Sequence, residues 1–572
     1  MNSGEYVTRT IRHMICPIII AATVLTTNAT GRQTVRKAWL KYRRAMQEVE
    51  AVQNAADRLE NPLDVVRVKA KAASLLWTES AERSRAVFVD LWDKVESQTD
   101  KDFDKEEART IILRYLFPRD RALADQLLKK TAKEDEADSD FARVMGTDPQ
   151  TKRLAFTAYR LAETDVGLAA AVLEKSLARN TSPMFAPILT RIREKDPSLA
   201  NTVAERSLGN FLRQPRTVAL VGLNNMIAYL FPYFPSAEVS PEVKESDERL
   251  RFQFVSIGYQ VLGESLAESE ESLVKDQGLQ QNTLSFRTLC QATLAATLAA
   301  LSPRYAPQLT EALDATAKRL SAGLPNQLLD AIQVQVAAVK GAIGKNGGDG
   351  SEAEIIGSMA RGDFEAAQEA IDKLDEKKRL SWGELLLKAR VKTHLGRGEL
   401  FEALSIARKM RDGTQKMLLM AEIAKVAHEK REPDLLTAIL YEVKRTSADV
   451  LPKGIYAVAL LTIAAETAHF APTEAMLMLQ DGVATINSLA DVGAKEQKGS
   501  RSKPILNDPS SFADSAELMR AFSALGEKDL ERTLSIANRL ENKAVQMVAR
   551  LATVERAVEK GLPKSSSKDR SQ

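Results

Sequence analysis

Cysteine, histidine and aromatic residues are scarce in this chain, and each shortage closes off a class of chemistry. Two cysteines, Cys16 and Cys290, in 572 residues cannot build a disulfide framework. Cys290 stands between Leu289 and Gln291 in an apolar helical context, which predicts a buried, inert thiol. Of four histidines, His394, His428 and His469 lie far apart, none with a second histidine at metal-binding helical spacing. An aromatic content of 5% argues against sugar-binding platforms and base-stacking surfaces, since both need exposed rings. With 80 basic and 77 acidic residues interspersed, the formal net charge is +3. That balance demands neither nucleic acid nor an anionic membrane as partner.

Catalytic motifs are missing too. Gly344 and Lys345 end a Gly-rich run, but Asn346 follows and Val339 precedes, so no phosphate-binding loop is formed. Asp349-Gly350 lacks the carboxylates of a calcium loop. Ser272 and Lys275 have the spacing that lets a lysine activate a serine. The same spacing recurs at Ser500 and Lys503 and at Ser565 and Lys568, in apparent loops, so it carries no weight. Glu268 to Glu271 form a carboxylate cluster that reads as a solvated helix face. No catalytic, cofactor-binding or metal-binding residue is assigned, no cofactor is expected, and the chain is read as non-enzymatic.

The N-terminus has the parts of a secretory signal peptide over residues 1–29. Arg9 and Arg12 precede a 12-residue apolar run from Met14 to Leu25, and Thr27, Asn28 and Ala29 follow. The run falls short of the roughly 20 residues of a membrane-spanning helix. Export from a bacterium is therefore expected, to the periplasm or beyond. Arg32, Arg36, Lys37, Lys41, Arg43 and Arg44 directly downstream resist export. They keep open an inner-membrane anchor or a cytoplasmic location.

What is abundant is helical period. From Arg32 onward no period-two run is long enough for a strand. Trp77, Phe88, Leu91 and Trp92 are spaced as core anchors of the first helices. Asp120, Asp165 and Asp196 each open a similar phrase, with apolar residues three, seven and eight positions later. Each Asp can cap a helix start, and the apolar positions share one face. Tyr115-Leu116-Phe117-Pro118 returns as Tyr229-Leu230-Phe231-Pro232, a helix end stopped by proline. Loops are expected at Lys133 to Asp140 and at Ser236 to Asp247.

A second phrase recurs in the C-terminal third. Gly362-Asp363-Phe364-Glu365-Ala366-Ala367 is followed 36 residues later by Gly398-Glu399-Leu400-Phe401-Glu402-Ala403, and Gly526-Glu527 leads to Leu530, Leu534 and Ala537. Trp382 to Gly396 reads as the first helix of a repeat, closed by glycine. Further helix pairs are expected over Gln415 to Arg445, Lys453 to Asn487 and Phe512 to Leu540. Second helices start near Asp363, Glu399, Pro433, Thr473 and Glu527. Units this small cannot bury their apolar faces alone and must stack. The order Gly362, Asp363, Phe364, Ala367 resembles the second helix of a tetratricopeptide repeat. That resemblance covers roughly 200 residues and implies a concave groove for a peptide or protein segment; it assigns no groove residues.

The expected fold is all-α, a solenoid of stacked helical hairpins in two arrays joined by a Gly-rich linker. The expected division is a N-terminal helical-repeat domain over 30–340, a linker over 341–353 and a tetratricopeptide-like domain over 354–561. An insertion at 492–511 and a disordered tail at 562–572 complete it. The expected function is an exported scaffold or adaptor that binds a protein or peptide segment, with no nucleic acid and no strong membrane signal once the leader is cleaved. The alternatives are an enzyme with an inter-domain site and a structural envelope protein.

Overall fold

The computed structural model describes residues 36–100, 103–131, 145, 147–178, 180–232, 240–269, 281–343, 351–446, 453–496 and 508–561. The expected signal peptide, the tail, Lys133–Asp140 and residues 344–350 of the expected linker lie outside them. Among the described residues there is no strand. The helices run in chain order as α1 (36–55), α2 (Pro62–Leu76), α3 (Ala81–Ser97), α4 (Lys105–Leu116), α5 (Arg121–Thr131), α6 (Pro149–Leu161) and α7 (Val166–Leu177). Next come α8 (Phe185–Arg193), α9 (Pro197–Phe211), α10 (Arg216–Leu230), α11 (Pro241–Ala267), α12 (Gln281–Tyr305), α13 (Thr310–Ser321) and α14 (Asn326–Ala342). The rest are α15 (Ser351–Arg361), α16 (Phe364–Asp372), α17 (Glu376–Arg397), α18 (Leu400–Arg408), α19 (Gly413–Lys430), α20 (Pro433–Thr446), α21 (Lys453–Thr467), α22 (Pro472–Glu496), α23 (Ala516–Lys528), α24 (Leu530–Ala537) and α25 (Lys543–Glu559).

These helices stack in two rows. Up to α14 the even-numbered helices form the inner row, and from α15 the odd-numbered ones do. Successive inner helices pack on each other, α15 and α17 through the intervening α16. Among the described residues each inner helix except α14 also packs against an outer partner, so the chain is an all-α solenoid of hairpins. Local sequence explains the punctuation. The backbone N–H groups of Leu123, Leu168 and Leu199 donate to Asp120, Asp165 and Asp196 at 3.0, 2.9 and 2.9 Å, satisfying donors that a helix start leaves open. Gly362 and Gly398 take φ of 76° and 75° after α15 and α17, the left-handed turn that an L side chain resists. Arg431 adopts the same turn after α19 at φ 59° without being glycine.

Gly526 plays a different part from the two glycines whose phrase it shares. It lies inside α23, where an added Cβ would sit 2.1 Å from the Thr553 carbonyl oxygen of α25. The bare backbone is what lets these two inner helices cross closely. Gly341 does likewise: it is the penultimate residue of α14, not linker, and a Cβ there would meet the Gly357 carbonyl oxygen of α15 at 2.4 Å. Residues 351–353 of the expected linker are likewise the first turn of α15. Two other loops are shorter than the sequence suggests. Pro241 to Asp247 are the start of α11, because Ser240 caps the helix and Pro241 fits its first position. Of the expected insertion, 492–496 extends α22, and Pro509–Asp514 forms a 3-10 helix capped by Asp508. The helix closed by glycine is longer than Trp382 to Gly396, starting at Glu376 and stopping at Gly398.

The hydrophobic cores run across the expected boundaries. One joins Ala45–Leu76 to residues from Val391 to Val558; a second spans Val66 to Ile343; a small third links Ala338 to Ile355–Ala389. Helix α2 packs on α25, so the two ends of the solenoid meet. Helix α1 lies beside them in the outer row. Lys41 Nζ donates to the Glu527 carbonyl at 2.7 Å, Arg44 pairs with Glu531 at 3.3 Å, and Arg550 with Glu48 at 2.6 Å. The N-terminal helix thus supplies the outer partner of the last inner helix. Helix α2 is buried nearly all round, as expected of an element wedged between neighbours.

Two buried cations hold this seam. Arg67 donates to Asp64 of its own helix at 2.7 Å, to Glu107 of α4, and to Asp514 at 2.5 Å. Burial opposes its charge, but the Asp514 and Glu107 carboxylates outweigh that and raise its pKa. Lys71 is 2% exposed and pairs with Glu555 of α25 at 3.1 Å. Trp92 and Phe88 are fully buried in the second core, and Trp77 packs 6.3 Å from Phe88.

Candidate interaction surfaces

The inner row brings charged side chains from distant parts of the chain to face one another. From the first half come Glu163, which follows α6, Arg191 of α8, and Glu194 and Lys195 just beyond it. From the second half come Lys392 of α17, Glu422 and Lys425 of α19, Glu466 of α21 and Arg520 of α23. Glu194 is influenced by Lys392, Lys425 and Glu422, and Lys195 by Arg520 and Lys425. The two halves of the solenoid therefore oppose each other across their inner faces. Arg160 of α6 also donates to the Asp514 carbonyl at 3.4 Å.

Glu194 and Lys195 are solvent-exposed, yet desolvation pushes the carboxyl up and the ammonium down. Both side chains stand on the inner face, close enough to the packed helices on either side for burial to disfavour their charges. The wall is held by specific pairs. Arg191 stacks 3.8 Å above the Tyr159 ring and pairs with Glu163. Lys195 Nζ donates to the Ala162 carbonyl at 3.1 Å. Lys392 reaches Glu422 at 3.3 Å. Glu466 is 3% exposed, and burial raises its pKa against the pull of Arg520, with which it pairs. Lys425 is exposed and has no ion-pair or hydrogen-bond partner among the described residues.

Residues weighed in the sequence fall elsewhere or apart. Cys290 is buried, and burial pushes its thiol up to about 12, which leaves it unreactive. His394 Nδ1 lies 2.6 Å from a Glu399 carboxylate oxygen at the close of α17. His428 and His469 do come together, rings 5.5 Å apart, with Phe470 edge-on to His428. Among the described residues no group of three metal-ligating side chains forms. Glu268 is held by Arg287 at 2.8 Å, whereas Ser272 and Lys275 lie outside the described residues. The inner-face cluster itself left no local signal, because its members lie on helices from opposite halves of the chain.

A second surface lies where α12, α13 and α14 meet, around a cavity of about 740 Å³. Helix α13 packs on α12 but barely touches α14, so the helices splay and leave a groove.

No family model and no curated protein matches this chain. Among solved structures it is similar to a circular tandem repeat protein with novel repeat topology and enhanced subunit contact surfaces. The match has 13% identity and a TM-score of 0.16, and covers 89% of this chain and 100% of that one. A likeness that low carries no argument; the helical-repeat architecture rests on the packing described above.

Proposed function

We propose that this protein is a non-catalytic scaffold or adaptor that holds a segment of a partner protein along its inner face. The observation that supports the reading is the charged inner wall, contributed by both halves and carrying the unpaired Lys425. Helical-repeat arrays present broad surfaces of this kind and commonly bind extended partners. The C-terminal pairs are proposed as relatives of the tetratricopeptide superhelix, on the strength of the phrases at Gly362 and Gly398. Export from a bacterial cytoplasm to the periplasm is proposed from the sequence of residues 1–29 alone, with an anchored or cytoplasmic chain as the alternative.

The test is capture of partners on the immobilised full chain, with wild type beside a Lys392→Glu/Lys425→Glu variant. The reading expects a partner retained by wild type and lost from the variant. Equal retention would remove the inner face as the site.

A second reading, an enzyme with its site between the two halves, draws on the shifted groups Glu194, Lys195 and Glu466. The scaffold is preferred because Glu466 is tied to Arg520 and Lys195 to backbone carbonyls, arrangements that brace a wall.

A further inference from the structure

Among the described residues every inner helix but one has an outer partner, and the exception is α14. Only eight residues, 343–350, separate it from α15, fewer than any outer helix needs with its turns. Its outer flank borders the groove. Ala296, Ala299 and Ala300 of α12 form the floor, Ala317 of α13 one wall and Val336 of α14 the other. Small apolar side chains on three helices leave room for a helical backbone to come close. At the rim stand Lys318 on one wall and Lys340 on the other, with Asp314 beside Lys318. None of the three has an ion-pair or hydrogen-bond partner among the described residues. The rim thus carries two lysines, one on each side of a trough floored by alanines, against the single carboxylate of Asp314 on the α13 wall.

We propose that this groove takes an amphipathic helix from a partner protein, apolar on the face it buries and carrying carboxylates along its flanks. An apolar trough with charged edges suits that mode of recognition, in which the buried stripe supplies affinity and the flanks supply choice of partner. At 1.5 Å rise per residue, α13 offers a wall about 18 Å long, which suits an occupant of about 12 residues. The chain's own termini are poor candidates by charge. Residues 1–35 carry Arg9, Arg12 and Arg32 against Glu5, and 562–572 carry Lys564, Lys568 and Arg570 against Asp569. Of the acidic stretches, Glu134 to Asp140 joins α5 to α6, three units along the array from α12, and Glu268 to Glu271 follows α11, with Glu268 already held by Arg287 at 2.8 Å. The proposal deepens the scaffold reading but uses a different surface, so the Lys392/Lys425 variant leaves it untouched and the two can fail separately.

The experiment is fluorescence anisotropy of the full chain with two labelled helical peptides. Both share one Leu/Ala stripe; one has Glu on its flanks and the other Lys. The Glu peptide is expected to bind at least about ten-fold tighter than the Lys peptide, and to weaken steeply as salt screens the rim. Lys318→Glu/Lys340→Glu should reverse the preference, and Ala300→Trp should abolish binding of both. The double Lys variant, with Lys318 exposed and Lys340 half-buried, keeps the test alive if Ala300→Trp does not fold, as judged by circular dichroism. No saturable binding of the Glu peptide, equal binding of both peptides, or binding unmoved by the rim variant would overturn the proposal. So would binding that emerges only after the carboxylates of 134–140 are neutralised, because the groove would then belong to the chain's own acidic stretch.

Discussion

Two inner helices lack an outer partner from the next stretch of chain, and the molecule treats them differently. At α25 the missing partner comes from the other end: α1 fills the outer position and α2 continues the inner row. At α14 no described helix fills it, and among the described residues most of the first half of that helix is exposed, Leu328 included at 36%. The seam is tied by buried ions and by a shared core that joins Ala45–Leu76 to the C-terminal helices. The corner is bordered by alanines and solvent-facing lysines. A repeat unit needs cover on both sides; the seam obtains it within the chain, and the corner is where cover from outside would fit.

Seam and corner should differ most at Arg67. Arg67→Ala leaves Asp64 without its cation and Asp514 with only Arg114, 3.9 Å away, so destabilisation of about 3–5 kcal/mol is expected by urea unfolding. An exposed corner change such as Lys318→Ala should stay within about 0.5 kcal/mol. A loss at the seam no larger than at the corner would remove the distinction. Close crossings give the next effect. Gly526→Ala and Gly341→Ala each drive a methyl into a facing carbonyl, at 2.1 and 2.4 Å, and should cost about 1–3 kcal/mol. Gly209→Ala in α9 has nothing within 4 Å and should instead stabilise by roughly 0.5 kcal/mol, read as melting temperature.

Acid sharpens the comparison further. Hydrogen bonds from Lys560 and Arg556 hold Glu527 down to about 2, against an ordinary 4.5. A carboxylate depressed on folding stabilises fully above its unfolded pKa and loses that contribution as pH falls through its folded one. Melting temperature should therefore fall between about pH 4.5 and 2, and the Glu527→Gln variant should show a shallower fall over that window. An unchanged slope would show that the Arg556 and Lys560 pairs of Glu527, which tie α23 to α25, add nothing to stability. The smallest effect is a cap: Asp165→Ala should cost about 1 kcal/mol, wherever the seam stands.

What the sequence disclosed was local. The aspartate caps could be read because each Asp lies three residues before the N–H it accepts from, and the phrases at Gly362 and Gly398 because their glycine directly precedes a helix start; the left-handed turns there came from the structure. The starts of α16, α18, α20 and α22 fall within a residue of those expected from the repeat, since capping and proline chemistry mark them; α24 begins three residues past Glu527. Gly526 looked like a third copy of the same phrase. Its real constraint comes from Thr553 in another helix, which no local phrase records. Closure was hidden for the same reason: Lys41 and Glu527 are 486 residues apart, and α1 carries nothing that names α25 as its partner. The inner-face cluster, shared between α6–α8 and α17–α23, is invisible until the array curves.

The most direct test of this account is the distance between α1 and α24 in solution. Spin labels at Arg44→Cys and Glu531→Cys, with Cys16→Ser and the buried Cys290 left in place, would be read by pulsed electron resonance. Closure predicts one short, narrow distance that broadens when Arg67→Ala is added. A long or broad distribution in the otherwise unaltered chain would show an open solenoid and contradict the seam.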